Sequence, residues 1–221
     1  MRAYREGDLR GTRIGILDSE ALGVATPETR AAVARAAKLL GERGFTVEPF
    51  QLNCLDRALD LWWFFFGPVI GDLLRHSVAT HEDQISPMLR DYLGYATSGD
   101  PITLNQFTKA CAERDLLRAD ILRQMQNTPV LLSPVSTGPA FRHGAGNYAP
   151  GTGYLDTMRF CQWLNLTGFP GVSVPVAVSN EGLPIGVQVI GRPFEDELAL
   201  AVAEVIEQAR GPWQPPFLEN A

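Results

Sequence analysis

The sequence predicts an α/β fold on three observations. There are apolar runs of strand length, longer stretches with apolar residues at helical spacing, and a strand–helix–strand order near the amino terminus. The chain has 221 residues, 45% of them hydrophobic and 20% charged, which suits an ordinary globular protein. Its length is that of a single domain over residues 1–221, with the helical stretches gathered at about 54–127.

Taken in order, Thr12 to Leu17 alternates as a short strand, and Thr26-Pro27-Glu28 then supplies an N-cap, a first-turn proline and an early carboxylate. Ala32, Val33, Ala36, Leu39 and Leu40 recur at helical spacing up to Gly41 and Gly44, and Phe45 to Phe50 reads as a second strand. This is a βαβ unit. Helical periodicity then runs over Leu55 to His76, Ile85 to Tyr95 and Thr103 to Gln126, with turn residues at Ser98-Gly99-Asp100-Pro101. Thr103 with Gln106 matches a capping box. In the helix that follows, Phe107, Cys111, Leu117, Ile121 and Met125 fall near one face, while Arg114, Arg118 and Arg123 form a solvated one.

Pro129 to Ser133 is a short apolar strand, and the next 20 residues, rich in Gly, Pro, Ser and Thr, form a long loop of the kind that often carries function. Tyr154 to Leu166 reads as a helix closing at Gly168. Two strands then flank Ser179-Asn180-Glu181-Gly182, Glu195 to Ala209 forms an amphipathic helix, and Pro212 to Pro216 ends regular structure.

Several function classes are excluded. A net charge of −6, a pI near 5.1 and the lack of any Lys/Arg block argue against nucleic acid as a partner. The three cysteines, Cys54, Cys111 and Cys161, are far apart with no paired spacing, so neither a disulfide framework nor a metal site is predicted, and a reducing cytoplasm fits best. The longest apolar run, Leu61 to Gly71, is too short for a membrane span. No glycine-rich phosphate loop is present, and no cofactor is predicted.

The search for catalytic residues yields no complete set. There is no Gly-x-Ser-x-Gly turn, and Ser173 in Gly171-Val172-Ser173-Val174-Pro175 reads as a structural hydroxyl within a strand. His76 and His81 lie in a polar junction beside Ser77, Asp83 and Ser86, where nothing fixes a triad, and His143 lies in the long loop. Glu195-Asp196-Glu197 complements a helix dipole. The cluster Trp62-Trp63-Phe64-Phe65-Phe66 faces all round a helix, so part of it must meet something besides one core: a ligand channel, a missing part of the fold, or a partner.

Asn165-Leu-Thr-Gly-Phe-Pro-Gly-Val-Ser-Val-Pro175, Gly182-Leu-Pro-Ile-Gly-Val-Gln-Val-Ile-Gly191 and Glu195-Asp-Glu-Leu198 resemble the carboxy-terminal part of the amidase signature family. Leu9 to Ile16, the Pro27 helix, Pro129 to Val135 and Pro139-Ala140 fall in the family's order, whereas residues 54–127 resemble it only in character. The resemblance implies part of an α/β/α sandwich, a mixed sheet flanked by helices. It also implies an amide hydrolase with a Ser-Ser-Lys set in the amino-terminal half. No segment here matches that set, and the only lysines, Lys38 and Lys109, sit inside helices, so no catalytic residue is assigned and the chain alone is expected to be inactive.

The pocket wall implied by the resemblance comprises Ser133, Pro134 and Thr137 after one strand, and Phe160, Trp163 and Asn165 before the hairpin. For Asn165 a helix C-cap is the competing reading. Glutamine-using A subunits of tRNA-dependent amidotransferases carry an Asp seven residues before the Asn-Leu motif, where this chain has Met158. Met158 and the aromatic cluster therefore favour a small apolar amide. The alternative is a non-catalytic binding or self-assembly module derived from the fold. Either reading predicts self-association, or pairing with an amino-terminal amidase segment, through an open sheet edge.

Overall fold

A computed structural model describes residues 4, 6–17, 22–23, 25–142 and 154–213. His143, the loop residues up to 153 and the tail beyond 213 lie outside the described residues. A one-turn helix α1 (Glu6–Leu9) leads into β1 (Arg13–Leu17), α2 (Pro27–Glu42) and β2 (Thr46–Phe50). The helical stretch comprises α3 (Leu55–Phe64), α4 (Ile70–Val78), α5 (Pro87–Ala96) and α6 (Leu104–Gln124). The remainder is β3 (Val130–Pro134), α7 (Tyr154–Thr157), α8 (Arg159–Thr167), the hairpin β4 (Gly171–Val178) and β5 (Pro184–Gly191), and α9 (Asp196–Arg210).

The five strands form one mixed sheet in the order β2-β1-β3-β5-β4. Strands β1, β2 and β3 run parallel, as the predicted βαβ unit requires, and β5 joins β3 and β4 in antiparallel pairs. The hairpin turns at Gly182, whose φ of 81° is the left-handed value that glycine adopts without strain. Ser179 fastens the turn, its hydroxyl accepting from the backbone N–H groups of Glu181 and Leu183.

Apolar side chains leave the sheet on both faces, so helices cover both. On one face Ile14, Val130, Leu132, Val187 and Val189 pack with α2 and α9. On the other, Leu131 and Ile190 pack with α3, α6 and α8. Adjacent strand residues thus feed opposite layers, as the two-residue period of a strand dictates. The result is the predicted α/β/α sandwich.

Local rules explain the helix ends. Thr26 caps α2 and Ser86 caps α5, and the capping box of Thr103 and Gln106 forms in both directions at α6. Gly168, at φ 71°, closes α8 in the left-handed conformation, so Asn165 lies within the helix rather than capping it. The stretch Leu55 to His76, expected as one helix, is interrupted by a π-helical turn over Phe65–Val69. Pro68 lacks an N–H and crowds the carbonyl one turn back, so the helix widens there. The Tyr92 hydroxyl donates to the carbonyl of Phe66 in this turn. Tyr154 to Leu166 likewise divides into α7 and α8 around Met158.

Candidate functional site

Three of the predicted pocket residues, Ser133, Pro134 and Phe160, gather where the carboxy-terminal end of β3 meets α8 and β5. Ser133 is fully buried, and its hydroxyl donates to the Pro134 carbonyl at 2.9 Å. The same hydroxyl accepts from Gln188 Nε2 at 2.9 Å, and that amide also donates to the Phe160 carbonyl at 3.0 Å. Gln188 therefore ties β5 to β3 and to α8. One residue further on, Cys161 Sγ donates to the Val135 carbonyl at 3.0 Å. Burial pushes the Cys161 thiol above the ordinary value, which keeps it protonated and a poor nucleophile.

The chain after β3 is held from two sides. The Thr137 N–H donates to the Thr157 carbonyl at 3.0 Å, and the Thr137 carbonyl accepts from the Thr26 N–H at 2.7 Å. Thr26 is the N-cap of α2, so this loop is positioned by a helix end on one side and by α7 on the other. Asp156 of α7 and Arg159, the first residue of α8, form an ion pair at 2.6 Å. A small cavity of about 180 Å³ lies beside the loop, between Ser136, Pro139 and the hairpin residues Ser173 and Gly186.

The six predicted wall residues thus take four different places. Ser133, Pro134 and Phe160 join the buried hydrogen-bonded node, and Thr137 anchors the loop next to it. Trp163 is a core residue at 0% exposure, its ring 5.6 Å from that of Phe169. Asn165 faces solvent on α8. Gln188 is a member of the node that the sequence does not single out as a site residue. Its signal is a polar residue inside the apolar run Gly186-Val-Gln-Val-Ile-Gly191, since a buried amide persists only with partners.

No serine or cysteine is paired with a base among the described residues; the one hydroxyl–imidazole contact, Thr80 with His81, lies on the exposed surface. The serines near the histidines serve the backbone instead: Ser77 donates to the Leu73 carbonyl, and Ser86 accepts from the Leu89 N–H. His76 engages the Asp72 carbonyl and His81 the Thr80 hydroxyl. Ser173 is exposed on the edge strand β4. Lys38 lies within 3.8 Å of Glu42 on the surface of α2, and Lys109 is exposed on α6. Among the described residues no group of His, Cys, Asp and Glu side chains is placed to hold a metal ion, and no helix is long and apolar enough to cross a membrane. Chemically, the node can shape and stiffen a wall, with no base at hand to activate its hydroxyl.

The aromatic cluster is only half-buried from Trp62 to Phe66. Trp62 stacks on Phe66 at 5.2 Å, Trp63 meets Tyr95 at 5.1 Å, and Phe65 packs edge-on against Phe107. Arg114, expected on a solvated face, lies 5.4 Å over the Phe65 ring and so covers part of the cluster. Trp63 and Tyr95 both line two cavities, one of about 640 Å³ towards Phe107 and one of about 460 Å³ towards α8.

Known proteins share this fold. Residues 1–200 match the Amidase family. The chain is 41% identical over 103 residues to the A subunit of the glutamyl-tRNA(Gln) amidotransferase of Parvibaculum lavamentivorans, covering 47% of this chain and 21% of that protein. It is 43% identical over 103 residues to the corresponding protein of Synechococcus sp. WH7803, with the same coverage of 47% and 21%. The solved 6-aminohexanoate cyclic dimer hydrolase superposes with a TM-score of 0.78 at 23% identity, over 96% of this chain and 48% of that one. The chain thus spans about half of that structure, and its matches cover about a fifth of the curated relatives. With a mixed sheet between two helical layers, a match running through residue 200 and a neighbour that superposes over nearly its full length, this chain belongs to the amidase signature family.

Proposed function

We propose that this chain forms scaffold and substrate-pocket wall of an amide (C–N) hydrolase, with the Ser-Ser-Lys catalytic set supplied from outside these 221 residues. One observation carries the reading. The family match extends over residues 1–200, yet Lys38 and Lys109 are both exposed helix residues that hydrogen-bond to no serine among the described residues. A lysine base must reach its serine within about 3 Å, directly or through another hydroxyl.

In this reading Ser133, Pro134, Thr137 and Phe160 hold one wall of the acyl pocket, Trp163 backs it from the core, and Asn165 stands at its outer side. A small apolar amide suits Met158, where a charged substrate would lack a carboxylate partner, and the three free cysteines suit a reducing cytoplasm. Residues 1–221 act as one domain, so heating gives a single cooperative transition.

The test is hydrolysis of a panel of apolar anilides by the purified chain. The expected rate is that of buffer, and turnover by the chain alone would refute the assignment. A second reading, a non-catalytic assembly module, draws on the edge strands β2 and β4, each paired on one side among the described residues. Both readings involve pairing through such an edge, with a second copy or with an amino-terminal amidase segment. Sedimentation across a concentration series tests self-pairing, and a strictly monomeric profile contradicts it.

A further inference from the structure

The cavity of about 460 Å³ between α3 and α7–α8 lies within the range that accommodates a small molecule. Its α3 wall follows helical spacing. Asp56, Asp60 and Trp63 stand at i, i+4 and i+7, with Trp62 beside them. Tyr95 of α5 joins this wall, its ring 5.1 Å from that of Trp63. The opposite wall is made by α7 and α8, where Arg159 is engaged with Asp156 at 2.6 Å and Gln162 donates to the Leu155 carbonyl at 2.6 Å.

Three features of this lining act together. Its charged side chains are three carboxylates and one guanidinium, and that guanidinium is paired within the wall. The carboxylates of Asp56 and Asp60 form no hydrogen bond or ion pair among the described residues. Three aromatic rings border the same space, and an aromatic face attracts a cation through its quadrupole.

We propose that this groove binds an organic cation, a primary or substituted ammonium on an aromatic or short alkyl body. The ammonium sits between Asp56 and Asp60, and the body lies against Trp62, Trp63 and Tyr95. An anion is disfavoured by the two free carboxylates, and a purely apolar ligand would leave them without a counter-charge. The site shares α8 with the Ser133–Gln188 node but none of its side chains. It concerns binding alone, so it stands or falls independently of amide hydrolysis.

Calorimetric titration of the chain with benzylammonium chloride, benzyl alcohol and phenylacetate tests the proposal, with tryptophan fluorescence as a second signal. Benzylammonium is expected to bind about tenfold more tightly than benzyl alcohol, and phenylacetate more weakly than either. The double variant Asp56→Asn/Asp60→Asn removes the preference for the cation and leaves the alcohol unchanged. Trp63→Leu weakens both. Glu204→Gln, on the other face of the sheet, alters neither. Both aspartates are exposed, so the double variant keeps its helix content by circular dichroism. Equal binding of all three probes, unchanged cation binding in the double variant, or no response up to the solubility limit of benzylammonium would each overturn the proposal.

Discussion

The sheet and the helical layer beside it treat their apolar residues differently. Leu131, Leu132, Val187, Val189 and Ile190 are all at 0% exposure, each touching helices on its own side of the sheet. In the layer formed by α3 to α6, Trp62 to Phe66 stay half-buried, and Leu104 and Leu116 are 78% and 68% exposed. Two cavities open in that layer around Trp63 and Tyr95. A strand fully covered on both faces has room for one arrangement of side chains. A helix with aromatics all round has more apolar surface than one core can take, and the excess becomes available for binding.

That contrast breaks if substitutions in the two regions cost the same. In urea denaturation Leu132→Ala is expected to have the largest effect, about 2–5 kcal/mol, because it opens a cavity where β3 meets the α2–α9 layer. Gln188→Leu follows at about 1–3 kcal/mol, since it leaves the buried Phe160 carbonyl and the Ser133 hydroxyl without their donor. Thr103→Ala removes the capping box of α6 and costs about 1 kcal/mol. Leu116→Ser, exposed on the same helix, stays within about 0.5 kcal/mol. A loss at Leu116 as large as that at Leu132 would show that the exposed layer is part of a packed core after all.

The thiols sharpen the comparison by a different measurement. Cys54, beside α3, has its pKa raised by burial and by the charge of Asp120, against weaker opposing effects that include Arg57; Cys161 in the node is raised by burial. A raised pKa means less thiolate at a given pH, so iodoacetamide at pH 8 should alkylate both more slowly than free cysteine. Alkylation of Cys161 at the rate of the free amino acid would mean that the node opens readily.

The sheet half is largely legible in the sequence, because strand alternation, the Pro27 helix and the Ser179–Gly182 turn each follow a local rule that tertiary packing does not override. The capping box at Thr103 is legible for the same reason. The break at Phe65–Val69 is not: periodicity continues through Pro68, and the outcome depends on Tyr92, distant in sequence, being able to satisfy a displaced carbonyl. Among the site residues, Ser133 and Phe160 can be named from the sequence but their common partner cannot. Gln188 meets them only when β3 and β5 pair, a contact between residues 55 apart. The groove is hidden for a similar reason, since Asp60 and Arg159 come to line one space only through the packing of α3 on α8.

The claim that the reacting groups lie outside this chain is most directly tested by incubating it with a fluorophosphonate probe and reading the intact mass. No adduct is expected, because no serine among the described residues stands beside a base. A stoichiometric single adduct, traced to one serine and accompanied by amide hydrolysis, would contradict the claim and place a complete catalytic set within these residues.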